Sequence, residues 1–484
     1  MLFNSYVFIF LFFPIVLLGY YLTGRFGKNR LGNIFLIGMS LWFYGYYTPR
    51  YLIIICSSIV FNYLFSKLIL AHRNTKTGKW LMAVGVLVNV GIIFHYKYSG
   101  FFWENINAAF GVSFNVVYIA LPLGISFFTF QQISYVVDSY HGETEGYSFD
   151  EYALFVSYFP QLIAGPIVLH NELIPQFRDA SKRRFNAENF GHGMYVFALG
   201  LFKKVLLADT LSKAVTWGYN DISALTSAEA WIVSISYTLQ LYFDFSGYSD
   251  MALGIGYMMN INLPQNFNSP YKSLSLLDFW SRWHMTQMRF LRTYIYFPLG
   301  GSRRGTVRTY LNLMAVFIIS GIWHGANWTY IIWGMLFGVF SCLTRIFKKD
   351  YDKLHPVFQW TITFLINCLN SVLFRSPNLS SAKLFFHQLF CNGSTMVSSR
   401  LTECFTLSGI NFLIERLPEA LQNMMPSYCM CALLLASFFV ILNCKNCFEI
   451  KPKASVGRSI GTVVLLVWSI VSLSGISEFL YFDF

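Results

Sequence analysis

The sequence predicts an all-α, polytopic membrane protein, and three observations carry that prediction. Hydrophobic residues make up 55% of the 484 positions and charged residues only 12%, whereas a soluble domain carries about 25% charged residues. Mean hydropathy is +0.49. Apolar runs of span length, or nearly so, recur along the whole chain with no soluble domain between them. The bilayer is the solvent such a chain needs.

The runs lie around 6–22, 31–48, 51–71, 80–96, 115–137, 151–169, 190–208, 228–258, 310–344, 355–375, 429–444 and 459–476. They predict roughly eleven or twelve membrane segments in one integral-membrane domain over 1–484. The first run is expected to be a retained span. No basic residue precedes it and no small-residue cleavage site closes it, while Arg25, Lys28 and Arg30 follow it. That asymmetry puts its N-terminus outside and its basic flank inside.

The net charge is +12, which does not imply nucleic acid. Lys and Arg gather in short loops at 25–30, 73–79, 178–184 and 345–353, the pattern of inward-facing loops. The cysteine count of nine is odd. Cys429, Cys431, Cys444 and Cys447 have a faint metal-site spacing, but 432–443 reads as one apolar helix. Twelve helical residues hold the two pairs about 18 Å apart, so one ion cannot bridge them. Free thiols and no metal are expected. The mixed stretch 394–428 reads as an interfacial segment or surface loop.

Two runs are not simple spans. "YFPQLIAGPIVLH" (158–170) carries Pro160, Gly165 and Pro166. Proline cannot continue a helix ladder, and broken backbone at membrane depth survives only inside protein or beside a wet cavity. A re-entrant hairpin is expected. The stretch 310–344 is longer than one span needs, and Gly321 and Gly325 predict a break, kink or tilt there. Those glycines also suggest a cavity beside His324, open to close approach by substrate.

Polar groups inside apolar sequence are the candidate functional residues, because an ionisable side chain at membrane depth is costly. "LYFDFSGYSDMALGIG" (241–256) holds Asp244 and Asp250, as functional acids or as structural carboxylates. In "LDFWSRWHMTQMRFLRTYIYFPLGG" (277–301), Asp278 and Arg282 share a helical face. Trp283, His284, Arg289 and Arg292 follow, in a pattern that a plain interfacial helix would also give. "SGIWHGANWTYIIWG" (320–334) places His324 centrally among greasy residues, next to Trp323 and near Asn327. A neutral imidazole there is either a base or a hydrogen-bonding partner for a neighbouring helix. His72, His141, His192, His355 and His387 look loop-placed or near span ends, and His95 and His170 are borderline. Phosphate-loop, dinucleotide, nucleophile-elbow and zincin motifs are absent.

These residues resemble the membrane-bound O-acyltransferase family, in its bacterial polysaccharide-acetylating branch. The resemblance rests on "SFFTFQQISYVVDSYHG" (126–142), "YFPQLIAGPI" (158–167), "YFDFSGYSDMALGIG" (242–256), "LPQNFNSPY" (263–271), "DFWSRWHM" (278–285), "YFPLGGSRRG" (296–305), "GIWHGANWTYIIWG" (321–334) and "FLYFDF" (479–484). The chain departs from the family pattern at Leu169, at Thr293 and in "MTQMRF" (285–290). The resemblance implies re-entrant segments around a central tunnel, with core motifs about 120–345. It makes His324 the catalytic residue, as base or transient acyl carrier, and His284 its companion. Asp244, Arg282, Trp283, Trp323 and Asn327 are candidate substrate contacts, Asp244 alternatively holding a histidine tautomer.

By the same resemblance, the expected reaction moves an acyl group, acetyl first, from a cytoplasmic thioester such as acetyl-coenzyme A. The acceptor is an extracytoplasmic polysaccharide of alginate or peptidoglycan type, reached in some relatives through a separate acetyltransferase partner. No bound cofactor is implied, and the location is the bacterial cytoplasmic membrane. Two alternatives stay open: D-alanyl transfer from a carrier protein to teichoic acid, and a polysaccharide or lipid-carrier transporter. The transporter reading lacks an inverted repeat.

Overall fold

The computed structural model describes residues 1–25, 29–407, 416, 418–452, 455–473, 479 and 480; most of 408–417 and of "FLYFDF" therefore lies outside the described residues. Their regular secondary structure is all helical, with no strand among them. Seven helical stretches among them are long and apolar enough to cross a membrane. The chain divides into two compact units: Met1–Phe197 with Met251–Pro264 and Pro452–Ala454, and Ala198–Asp250 with Gln265–Lys451 and Ser455–Phe484.

In the first unit, α1 (Phe13–Arg25), preceded by a wide π turn at Phe8–Phe12, packs on α2 (Asn29–Gly45). Phe8, Phe12, Phe43 and Phe159 meet there edge-on and tilted at 5.4–6.3 Å. Then come α3 (Tyr51–Ala71), α4 (Lys76–Ile93), α5 (Ser99–Phe110) and α6 (Ile125–His141). Span-length stretches in this unit are Phe8–Arg25, Tyr51–Ala71 and Lys76–Phe110. In lipid, helices gain little from hydrophobic contact with one another, and polar pairs glue them. Asn62 of α3 and Asn89 of α4 exchange amide hydrogen bonds at 3.2 and 2.7 Å. Ser58 and Asn62 also donate to the Gln132 side-chain oxygen of α6, at 2.7 and 3.1 Å.

The proline-containing run breaks as expected. Helix α7 (Phe149–Ser157) gives way to one turn, α8 (Phe159–Leu162), then to non-helical chain, and α9 (His170–Arg178) follows. Helix α10 (Ala187–Phe202) completes this part of the chain. His192, expected near a span end, lies in the second turn of α10 and is buried.

In the second unit, a π turn (Lys203–Ala208) leads to α11 (Asp209–Asn220), and α12 (Ser227–Met258) enters as one continuous helix. Two short helices, α13 (Leu276–Arg282) and α14 (Met285–Leu291), precede a helical hairpin of α15 (Thr306–His324) and α16 (Trp328–Ile346). After α17 (Lys348–Tyr351) come α18 (Pro356–Arg375), α19 (Leu379–Cys391), α20 (Ser399–Glu403), α21 (Glu419–Asn443) and α22 (Val456–Val471). The four span-length helices here are α15, α16, α18 and most of α21. All nine cysteines are free thiols.

The hairpin corrects one expectation. The break falls where 321–325 predicted it, and a cavity does lie beside His324, but the glycines do not line it. A Cβ on Gly321 would lie 2.4 Å from the Tyr330 carbonyl oxygen, and one on Gly325 2.2 Å from the Tyr330 ring. Neighbouring atoms fill that space. The glycines let the two arms of the hairpin touch, and so hold His324 at the end of a rigid helix.

Candidate active site

His324 ends α15 and is 3% exposed. The rings of Trp323, Trp333 and Phe374 meet it edge-on at 4.9, 5.1 and 5.2 Å. It opens on a cavity of about 30 Å³, lined also by Thr238, Leu241, Trp280 and Trp283 and by polar groups of α18. That is room for a water or two. Two of those polar groups are Ser371 and Asn367. The Ser371 hydroxyl lies 3.0 Å from that of Thr238 and donates to the Cys368 carbonyl at 2.7 Å. The result is a small apolar chamber with a few fixed dipoles.

His284 sits between α13 and α14, fully buried. Its ring lies edge-on to Phe245 at 4.8 Å and to Trp323 at 5.9 Å. Trp323 therefore touches both histidines. The Nδ1 of His284 faces the side-chain oxygen of Asn266 at 3.1 Å. The structure thus brings His324, His284, Trp283 and Trp323 into one cluster.

The other expected site residues fall elsewhere. Arg282 bonds Asp278 at 2.8 Å, four residues back, as its helical spacing implied, and reaches the Asn268 carbonyl at 3.3 Å. Asn327 is the N-cap of α16: its side-chain oxygen accepts from the Thr329 N–H at 3.1 Å and its amide donates to the Pro377 carbonyl at 2.7 Å. Asp244 meets Lys204 at 2.6 Å and accepts from the Leu480 N–H at 3.0 Å, rather than holding a histidine.

Asp244 belongs to a second buried polar cluster. Lys203 pairs with Asp250 at 2.6 Å, and Lys204 pairs with both Asp244 and Asp209, the latter at 2.9 Å. Gly247 stands midway between the two acids on α12. A Cβ there would meet the Gly200 oxygen at 2.9 Å and the Lys204 nitrogen at 3.2 Å. The glycine lets the lysine-bearing segment lie against α12, and the acids three residues to either side clamp its two adjacent lysines. The sequence signal for this was the pair "KK" inside the apolar run 190–208.

Among the described residues, Asp138, Glu143 and His170 of the first unit present ligand-type atoms within 4.8 Å of one another. His170 is buried, with Nε2 3.0 Å from Asp138 and Nδ1 3.3 Å from the Tyr147 hydroxyl.

Fold and site define a polytopic helical membrane protein with a buried two-histidine centre. The model of the membrane-bound O-acyltransferase family matches residues 102–374, and the chain belongs to that family. It is 38% identical to the peptidoglycan O-acetyltransferase of Helicobacter pylori, over 100% of this chain and 98% of that protein. It is 39% identical to the probable alginate O-acetylase AlgI of Pseudomonas aeruginosa, over 82% of this chain and 76% of that one. The teichoic acid D-alanyltransferase of Bacillus subtilis is more distant, 28% identical over 55% of this chain and 70% of that protein. The chain is a multi-pass membrane O-acyltransferase.

Proposed function

We propose that this enzyme takes an acetyl group from a cytoplasmic thioester, acetyl-coenzyme A, and passes it across the cytoplasmic membrane for O-acetylation of a cell-wall glycan of the peptidoglycan type. His324 is the catalytic base, His284 its companion, and a separate extracytoplasmic acetyltransferase completes the transfer to polymer. One observation carries the reading: His324 is a buried imidazole walled by neutral rings, with a small cavity in front of it. End-to-end similarity to a peptidoglycan O-acetyltransferase supports the acceptor class.

A hydroxyl presented by the partner acetyltransferase, as relay acceptor, gives its proton to the imidazole and its oxygen bonds to the acyl carbon. The carbon–sulfur bond breaks, and the leaving thiolate takes the proton from the imidazolium. A base positioned in this way is worth about 10²–10⁴-fold.

The test is a complementation assay. Cells lacking the gene are given the wild-type chain or His324→Ala, and ester-linked acetate on the isolated cell wall is measured. Wild type restores acetate; the variant, present in the membrane at equal amount, does not. Retention of acetylation by that variant sinks the catalytic assignment. Recovery of ester-linked D-alanine instead of acetate overturns the acyl group proposed.

A further inference from the structure

His284 has φ 44° and ψ 49°, the left-handed region that side chains with a Cβ avoid. Such a conformation persists where its surroundings over-determine it, and it concentrates at functional sites. What determines it here is Asn266. The main-chain oxygen of Asn266 accepts from the Met285 N–H at 2.9 Å. Its side-chain oxygen accepts from the Thr286 hydroxyl at 2.9 Å and from the Thr286 N–H at 3.4 Å. Two residues on, the Asn268 N–H donates to the Arg282 carbonyl at 2.9 Å. The chain over 266–268 thus pins the backbone on both sides of His284.

The same amide also fixes the ring. A backbone N–H can only donate, so the Asn266 atom facing Thr286 is its oxygen. The Asn266 nitrogen points the other way, to the Ser249 hydroxyl at 3.4 Å, which fits that orientation. The oxygen also faces His284 Nδ1 at 3.1 Å, so Nδ1 must carry the hydrogen. Nε2 then holds the lone pair. The ring also meets Phe245 and Trp323 edge-on.

We propose that Asn266 is a positioning residue for acyl transfer: it holds His284 as the Nδ1–H tautomer, so that Nε2 is the nitrogen presented to the reacting groups. This rests on the reading of His284 as part of the transfer site.

The test uses inside-out membrane vesicles from cells carrying the full chain, with radiolabelled acetyl-coenzyme A as donor and label on the glycan as readout. Asn266→Ala frees the ring to adopt either tautomer. The expected result is a kcat loss of about 10–100-fold, part of what acid–base catalysis supplies, with KM for acetyl-coenzyme A unchanged. Asn266→Asp keeps the acceptor but places a carboxylate on the ring, which favours imidazolium. Burial holds the proton affinity of the wild-type ring well down, so the expected sign is an acidic limb that moves up in pH by about one unit or more, with activity recovering above it.

Wild-type kcat in Asn266→Ala overturns the proposal. So does an equal, pH-independent loss in both variants, which would make Asn266 a backbone pin alone. His284→Ala separates the two levels. If it is inactive while Asn266→Ala is normal, only the positioning role fails. If His284→Ala is itself active, the reading of His284 fails beneath it.

Discussion

Helix α12 serves two buried polar clusters from roughly opposite faces, and the clusters differ in kind. Asp244, Gly247 and Asp250, three residues apart, face the lysines at 203 and 204. Thr238, Leu241, Phe245 and Ser249, also at helical spacing, face the cavity, His284 and Asn266. In the first cluster, charges meet charges within 2.6–2.9 Å. In the second, imidazoles meet aromatic rings, and His324 lines a cavity. A buried charge that has found its counter-charge is committed to architecture. The imidazoles of the second cluster are the groups the proposed proton transfer uses.

The sharpest break between the clusters is a pair of single substitutions. His324→Ala is expected to reduce transfer by about 10²-fold or more while leaving the thermal midpoint of the purified protein near wild type. Lys204→Ala is expected to do the opposite first. It strands Asp244 at 2% exposure, a loss of about 3–5 kcal/mol that shows as low membrane yield and a depressed melting temperature. Normal stability in Lys204→Ala would mean the ion pairs are not structural, and the contrast between the two clusters would collapse.

A milder case removes both charges. Lys204→Met with Asp244→Leu leaves neither partner stranded. Replacing a buried pair by apolar residues of similar size is often close to neutral. Asp209, the other partner of Lys204, is partly exposed and can turn to solvent. The double variant should therefore recover most of the stability lost in Lys204→Ala, together with measurable transfer activity. A double variant as inactive as His324→Ala but fully stable would move this cluster into the chemistry. Gly247→Val ranks next. Its side chain would press on backbone atoms at 2.9 and 3.2 Å, and overpacking of this kind costs about 1–3 kcal/mol.

Much of this was legible in the sequence, and the limits are physical. Hydropathy identified the membrane fold, and prolines and glycines located the breaks at 158–169 and 325–327, because both signals are local. The Asp278–Arg282 pair and the free thiols were legible for the same reason: helical spacing decides them. The partner of Asp244 was not, since Lys204 stands forty residues away and only packing brings them together. The hairpin glycines announced a place without bulk, but not what fills it. The polar lining that α18 gives the cavity was hidden in a run that reads as an ordinary span. Asn266 lay inside a motif that carried the resemblance, yet nothing in "LPQNFNSPY" says which histidine its amide will meet.

Asn327 gives the smallest expected effect and bears on how closely the site is drawn. The resemblance made it a candidate substrate contact, and its sequence position beside Trp328 and close to His324 encouraged that. Its side chain is occupied at both ends, accepting from Thr329 and donating to Pro377. Asn327→Ser keeps a cap oxygen and loses the donor; Asn327→Ala loses both. If Asn327 only caps α16, the alanine variant loses about 1 kcal/mol, the serine variant less, and kcat follows neither. If instead kcat falls well beyond what stability accounts for in both variants, the site extends across the hairpin turn, and α16 contributes to catalysis through its cap as well as through Trp333.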